Sequence, residues 1–169
     1  MYSYDLTRLF LQTDGPNVSV NLDPTFGLLG GAVGAFLTTL LVGAILVALA
    51  PEFTEKMMGR VAGEPIGSFI YGIVLLLGLF VVTILLVITI IGVFLAIPLL
   101  LVAALVWAIG AAIAFLAIAE RLVGRDDGWL KPLLVAAVIN GGLALTGIGG
   151  IVSFGVGAAG FGAVLRGWL

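Results

Sequence analysis

The longest apolar stretch of the chain runs from residue 66 to residue 119 without one Asp, Glu, Lys, Arg or His. As a single helix it would reach roughly 80 Å, at about 1.5 Å of rise per residue. The hydrocarbon core of a bilayer is only about 30 Å thick. The stretch must therefore fold back on itself, and the helix breakers at residues 89–92 and Pro98 predict where it does so. Gly92 and Pro98 are the candidate turn residues, with Pro98 either kinking the second arm or marking its start.

Two further uncharged stretches complete the pattern. Residues 26–50 are long enough for one membrane span and end at Pro51. Residues 132–165 are interrupted at residues 146–150, where Gly147 and Gly149 predict a second hairpin turn. The sequence therefore predicts an all-α integral membrane protein, with one N-terminal transmembrane helix followed by two helical hairpins and about five membrane segments. The shared T-x-I-G pattern of the two turns hints at a repeated hairpin unit.

The polar positions fall into three segments. Residues 1–25 form a polar N-terminal segment with a short alternating strand at 18–22, and residues 26–169 form the helical membrane domain. Residues 51–65 carry Phe53, Met57 and Val61 at a spacing of four, which predicts a short amphipathic helix at the membrane interface. This helix is either a surface linker or a lipid-binding element. Residues 120–131 form a second charged loop, in which Trp129 is placed as an interfacial anchor.

Lys and Arg are distributed unevenly over these segments. The two charged loops and the C-terminus hold most of them, whereas the N-terminal segment has Arg8 alone and neither hairpin turn has any. Loops rich in Lys and Arg stay in the cytoplasm. We therefore expect a multi-pass protein of the cell membrane with its N-terminus outside and its C-terminus in the cytoplasm.

Composition narrows the range of functions. Hydrophobic residues make up 62% of the chain and charged residues 9%, with neither Cys nor His and a net charge of −2. Without Cys and His, disulfides, thiol catalysis and the commonest metal ligands are excluded. The low and scattered charge gives nucleic-acid binding no electrostatic basis. The acidic bias and the absence of Cys would suit a salt-loving archaeon.

Small residues are the strongest candidates for interaction sites. Gly27 and Gly31 are spaced four apart, as are Gly30 and Gly34, and such pairs let two helices approach closely in a membrane. Asn140 is the most polar residue expected at mid-depth, where it would hydrogen-bond between helices or line a solute path. The further candidates for helix packing are Gly141, Gly142 and Gly162.

No group in the sequence suggests catalysis. We find no nucleophile–base pair, phosphate-binding loop or metal-ligand cluster. Every charge lies in a loop, at the end of a span or in a terminal segment, so the usual carriers of intramembrane chemistry are missing. We expect no enzyme, no metal and no cofactor, although a bound lipid is compatible with the pattern.

Residues 65–165 resemble a membrane domain that occurs in bacteria and archaea, alone or at the C-terminus of bactofilin-like polymer-forming proteins. The resemblance is carried by P-I-G-S at 65–68, T-I-I-G at 89–92, A-I-P-L at 96–99 and G-F-G-A at 160–163. The family commonly has an I-G-I-P-L-A string at its turn, but here V-F-L at 93–95 separates Gly92 from Pro98. A second family Pro is replaced by G-I-G at 147–149. The resemblance implies an anchoring or scaffolding membrane domain.

Three functions follow from these observations. The first is a structural or accessory component that self-associates or anchors a complex with another membrane protein. The second is a small transporter or channel for an uncharged or lipid-like solute, with Asn140 and the two turns near its path. The third is binding of an apolar pigment or lipid in the glycine-rich grooves.

Overall fold

The computed structural model describes residues 24–146 and 148–167, with side chains described from residue 27. This part of the chain is helical and contains no strand. The strand expected at residues 18–22, Gly147 and Trp168 lie outside the described residues. The six helices are α1 (Pro24–Leu49), α2 (Pro51–Gly63), α3 (Pro65–Val87), α4 (Ile90–Val123), α5 (Leu130–Ala144) and α6 (Gly149–Arg166).

Four of these helices are long and apolar enough to cross a membrane: α1, α3, α4 and α6. Large apolar side chains cover their outer surfaces, and Ile90, Ile91 and Phe94 are each more than 70% exposed. A protein in water rarely exposes continuous apolar patches of this extent. The structure thus indicates membrane association, as the apolar pattern predicts.

Helix α6 lies at the centre of the bundle. It packs along α3 on one side and along α4 on the other, and it also contacts α2 and α5. Its second half, residues 157–164, is buried throughout. Helix α5 packs mainly against α1 and also against α4, so it connects α1 to the rest of the bundle. The second hairpin therefore packs between the first hairpin and the N-terminal helix, and the second half of α6 is its most buried part.

Helix α2 closes one end of the bundle. Pro51 and Pro65 lie in the first turns of α2 and α3. Proline has no backbone N–H, and in the first turn of a helix this N–H would have no partner within the helix, so proline is tolerated there. Its buried residues are Thr54, Met57, Met58 and Val61, which confirms an amphipathic helix. The apolar face packs on the core of the bundle, with Met57 and Met58 each 2% exposed. This helix therefore covers one end of the bundle, where it contacts α1, α3, α4 and α6.

The first hairpin turn is shorter than the sequence indicates. Helix α3 ends at Val87 and α4 begins at Ile90, so only two residues connect them. Thr89 caps α4, and its hydroxyl accepts a hydrogen bond from the Gly92 N–H at 3.0 Å. Because this cap starts the helix at once, Pro98 lies inside α4 and not at the turn. Pro98 is therefore not a turn residue and does not mark the start of the second arm; of the two alternatives, its position inside the helix is the one that a kink requires.

The second hairpin is shorter than the first. At about 1.5 Å per residue, α3 reaches about 35 Å and α4 about 51 Å, whereas α5 reaches about 22 Å and α6 about 27 Å. Gly72 of α3 lies beside Ala158 of α6. Beyond this level α3 continues for about 22 Å to Val87, but α6 only for about 14 Å to Gly149. The turn of the second hairpin therefore lies about 9 Å short of the turn of the first.

Candidate functional site

Glycines form the crossing points of the central helices. A Cβ atom added to Gly162 would lie 2.6 Å from the backbone nitrogen of Gly72, and one added to Gly110 would lie 2.6 Å from the carbonyl carbon of Gly160. Both distances are shorter than a real Cβ contact. Helix α6 therefore touches α3 and α4 backbone to backbone, the arrangement that small residues permit in membrane helices.

Sequence reasoning singled out Gly162 but not its partner Gly72, and it did not predict the contact between Gly110 and Gly160. Gly72 follows Ser68 by four residues and Gly110 precedes Ala114 by four, but small residues at this spacing are frequent in a chain with 25 glycines. One signal was available for Gly160. It lies with Gly162 in the segment 157–163, where every residue except Phe161 is small.

Aromatic side chains pack beside these crossings. Trp107 of α4 lies 5.4 Å from Phe154 and 5.9 Å from Phe161, measured between ring centroids. Its ring also covers Gly157, where an added Cβ would meet it at 2.7 Å. Such tilted aromatic pairs strengthen a contact beyond the area they bury.

Asn140 joins three helices through its side-chain amide. Its Nδ2 donates to Thr39 Oγ1 of α1 at 2.8 Å and lies 3.5 Å from the carbonyl oxygen of Ala35. Ser153 Oγ of α6 donates to Asn140 Oδ1 at 3.1 Å. Thr39 is 3% exposed, so this polar junction lies between the helices. A chain of bonded groups of this kind holds membrane helices together.

Gly141 and Gly142, which follow Asn140, have different surroundings. A Cβ on Gly141 would lie 3.0 Å from Phe36 Cβ and 3.1 Å from the carbonyl oxygen of Ala32, so Gly141 is part of the contact between α5 and α1. Gly142 has no atom within 4 Å of its Cβ position. Of these two candidates, the structure thus brings only Gly141 to a helix interface.

The first half of α1 carries a stripe of open glycines. Gly27, Gly31 and Gly34 fall on one helix face, with Gly30 beside them, and none has an atom within 4 Å of its Cβ position among the described residues. Ala32, which points to α5, is by contrast 7% exposed. The predicted packing face of α1 is therefore not used within the described part of the chain. We call these four residues the α1 glycine stripe.

The two hairpin turns share a threonine–glycine contact but are capped differently. The Gly92 N–H bonds the Thr89 hydroxyl, whereas the Gly149 N–H bonds the backbone carbonyl oxygen of Thr146. Thr89 Oγ1 donates to the carbonyl oxygen of Leu86, and Thr146 Oγ1 donates to that of Leu143. Three residues after each threonine comes a glycine whose added Cβ would collide with that hydroxyl, at 2.5 Å for Gly92 and 2.6 Å for Gly149. The repeated T-x-I-G pattern thus corresponds to a repeated contact, in which the threonine hydroxyl bonds a carbonyl three residues back and lies against the glycine three residues on.

All charged side chains of residues 24–167 gather at one end of the bundle. Arg125 pairs with Glu55 at 2.8 Å and with Glu120 at 3.5 Å, and its guanidinium lies 4.3 Å from the centre of the Trp129 ring. This arginine therefore connects α2, the end of α4 and the following loop.

Two more contacts link α2 to other helices at the same end. Arg166 at the end of α6 pairs with Glu64 at 2.7 Å, and Arg121 donates to the carbonyl oxygen of Ala62. These pairs are partly exposed, and each contributes little to stability by itself. Their placement shows that the C-terminal ends of α1, α4 and α6 and the N-terminal ends of α3 and α5 lie at one charged surface. We call this surface the charged end.

Within residues 24–146 and 148–167, no group of three or more His, Cys, Asp or Glu is placed to hold a metal ion. Asp126 and Asp127 lie in the turn between α4 and α5, where Lys131 pairs with Asp127.

A family model described as a domain of unknown function (DUF8173) matches residues 12–168. No curated protein and no solved structure matches the chain. The family match covers both hairpins, the α1 glycine stripe and the charged end. The chain therefore belongs to the DUF8173 family.

Proposed function

We propose that this protein is a structural component of the membrane that associates with further copies of itself through the α1 glycine stripe. One observation carries the proposal. Gly27, Gly31 and Gly34 present bare backbone on one face of α1, with no atom of the described residues within 4 Å of their Cβ positions. By contrast, Gly72, Gly110 and Gly162 are each in close contact with a neighbouring helix.

A bare glycine face in lipid favours a partner helix. Lipid tails are as apolar as Leu side chains, so apolarity alone does not drive helices together in a membrane. Small residues do so by letting two backbones approach and pack closely. Gly27 and Gly31 have the spacing of four that recurs in such contacts. Two α1 helices from different copies can meet along this stripe without moving the faces of α1 that hold α5.

The proposed topology has five membrane segments, with α2 and the charged end in the cytoplasm and the N-terminus outside. Four segments are the helices long enough to span, and the fifth is the shorter α5. The support for this orientation is the gathering of all six described cations at the charged end, since Lys and Arg are retained on the cytoplasmic side. We propose the cell membrane as the location.

We propose that such an assembly acts as a scaffold for other proteins. The charged end would present α2 and the loop at 124–129 to the cytoplasm, where they could anchor a second protein. The resemblance to membrane regions of bactofilin-like proteins stays a prediction, and it is compatible with this role. Another membrane protein seated on the stripe is the alternative occupant, and the experiment below distinguishes it.

The experiment measures association after replacing one glycine of the stripe. One sample of the purified protein is labelled with a donor dye and another with an acceptor dye, and the two are reconstituted together into liposomes. Energy transfer between the dyes is then measured at increasing ratios of lipid to protein. Gly31→Leu adds a side chain to open space, so the fold is retained while the close approach of two α1 helices is blocked. We expect energy transfer to fall to the level of random encounter.

A matched control comes from α3. Gly78 is an exposed glycine in the middle of a membrane helix and also has no atom within 4 Å of its Cβ position. Gly78→Leu makes the same chemical change on a face outside the stripe and should leave energy transfer unchanged. Equal transfer for wild type and Gly31→Leu would contradict self-association through α1. Absence of transfer in wild type, together with a second protein retained on gentle extraction, would assign the stripe to another partner.

A further inference from the structure

A cavity of about 470 Å³ opens at the charged end between α2, the start of α3 and the end of α6. It is separate from the α1 glycine stripe and from the Asn140 junction. Its lining residues are Lys56, Gly59, Arg60, Gly63, Glu64, Ser68, Ala163 and Arg166. The cavity reaches from the surface of α2 to about one turn inside α3, at Ser68, and inside α6, at Ala163.

The charge of the lining is positive. Among the described lining residues, three cations face one carboxylate, and that carboxylate, Glu64, is already paired with Arg166 at 2.7 Å. Among the described residues, neither Lys56 nor Arg60 has a carboxylate within 4 Å. The guanidinium of Arg60 rests beside Met57 and the backbone of Gly167. Two cations are therefore gathered at one cavity without an acidic partner from the described chain.

Helix α2 forms one wall of the cavity, and glycines lie next to its two cations there. Lys56, Arg60 and Gly63 follow one face of α2 at spacings of four and three, and Gly59 lies beside them. Gly59 and Gly63 have no atom within 4 Å of their Cβ positions. Because these two positions carry no side chain, a ligand can reach the backbone of α2 between the two cations.

We propose that this cavity binds a phosphate group, carried either by the headgroup of an anionic phospholipid or by a soluble phosphate compound. Arg offers a planar fork of donors that matches phosphate oxygens, and Lys adds a mobile point charge. Arg60 and Lys56 would supply these two contacts, while Arg166 would share its guanidinium between Glu64 and the ligand. The proposal does not depend on self-association.

The position of the cavity suits the lipid source in particular. The apolar surfaces of α3 and α6 begin at its inner boundary, and the charged residues of α2 form its outer boundary. A phospholipid at the membrane surface places its phosphate at this level. Basic pockets between membrane helices on the cytoplasmic side bind anionic headgroups in this way.

The first arm of the test compares lipids on the intact protein. The purified chain is delipidated in mild detergent and titrated with phosphatidylglycerol or phosphatidylcholine, and retained lipid is counted by native mass spectrometry. We expect phosphatidylglycerol to bind at least about tenfold more tightly. Arg60→Gln should weaken it about fivefold, in line with the attraction of one cation for an anionic surface. Lys56→Gln removes an exposed cation and should act in the same direction without touching the core.

Lys131→Gln is the matched control. Lys131 lies at the same charged end but pairs with Asp127 and is not part of the cavity, so its loss should leave lipid binding unchanged. Glu64→Gln removes the one carboxylate among the lining residues that the structure describes and should strengthen binding. If Lys131→Gln weakens binding as much as Arg60→Gln, the attraction is a general surface effect and the proposed site is wrong.

The second arm tests the soluble source. Thermal unfolding of the delipidated protein is followed in inorganic phosphate and in chloride at equal ionic strength. A higher midpoint in phosphate, reduced by Arg60→Gln and by Lys56→Gln, without preference for phosphatidylglycerol, would assign the site to a soluble phosphate compound. If neither the lipid preference nor the phosphate effect is found, the proposal is overturned.

Discussion

Gly72 and Gly162 face each other at the crossing of α3 and α6, so closely that a Cβ atom on Gly162 would lie 2.6 Å from the backbone nitrogen of Gly72. Helix α6 stands at the centre of the bundle, and this contact joins it to the first hairpin. Two helices in lipid have little to gain from covering apolar surface, so close backbone packing supplies much of their attraction. The contact is therefore a direct test of how this fold is stabilised.

Replacing Gly162 with Ala should destabilise the protein strongly. The added methyl group would meet backbone atoms of α3, which cannot rotate away as a side chain can, and overpacking of this kind costs about 1–3 kcal/mol. Unfolding in detergent, followed by loss of helical circular dichroism, measures the change. Gly78→Ala is the control, because its Cβ enters open space and should leave the midpoint unchanged or raise it. An unchanged midpoint for Gly162→Ala would show that the crossing is looser than described.

The polar junction at Asn140 should contribute measurably to the association of α1, α5 and α6. Asn140→Ala breaks the bonds to Thr39 and Ser153, and Thr39→Val removes one of them alone. A double-mutant cycle on unfolding free energies should give a coupling of about 0.6 kcal/mol and at most about 1.7 kcal/mol.

The solute-path alternative makes a different prediction for Asn140. If Asn140 served mainly transport, Asn140→Leu would abolish solute flux into proteoliposomes while leaving the unfolding free energy unchanged. The hydrogen bonds described here predict the opposite, a loss of stability.

The capped turn between α3 and α4 should depend on Thr89 and Gly92 together. Thr89→Ala removes the hydroxyl that accepts from the Gly92 N–H and should cost about 1 kcal/mol. Gly92→Ala should cost more, because its methyl group would meet the Thr89 hydroxyl at 2.5 Å and the backbone of Leu86. Chemical denaturation of both variants checks the order of the two effects. A smaller effect for Gly92→Ala than for Thr89→Ala would contradict the described turn.

The two hairpin turns should differ in their access to water. The turn of the second hairpin lies about 9 Å short of the first, which places Ile148 below the level of Ile88. The natural chain has no Cys, so single-cysteine variants label cleanly. A membrane-impermeant maleimide added outside intact cells should label Ile88→Cys readily and Ile148→Cys slowly.

Lys131→Cys supplies the control for orientation in this experiment. Lys131 lies at the charged end, so its variant should react with the maleimide only after the cells are opened. Equal labelling of Ile88→Cys and Ile148→Cys in intact cells would contradict the difference in depth. Labelling of Lys131→Cys in intact cells would reverse the proposed orientation.

Much of this architecture could be predicted from the sequence, because in lipid the apolar stretches dictate where helices lie. The bounds of α3 and the amphipathic α2 follow from uncharged length and from a spacing of four. The turn at Thr89 follows from its capping residue and Gly92. Pro98 could not be placed from the sequence, since a proline in an apolar stretch indicates either a kink or a helix start, and the cap at Thr89 decides for a position inside the helix.

The interior contacts could not be predicted in the same way. Which helix a glycine faces depends on the packing of the whole bundle, so nothing near Gly110 in the sequence points to Gly160. The sequence singled out Asn140, but it does not show whether Thr39 bonds its own helix, as Thr83 does to Leu79, or a neighbouring one. The cavity at the charged end also needs the fold, because it joins residues of α2 to Arg166, far along the chain.

The central claim is that the protein works as an assembly, and its mass after gentle extraction tests this most directly. The chain has a mass of 17.4 kDa. Native mass spectrometry of protein extracted in a mild detergent should give a defined multiple of this mass for the wild type and the single mass for Gly31→Leu. A wild-type protein found only at the mass of one chain, with lipid but no protein partner, would contradict the account.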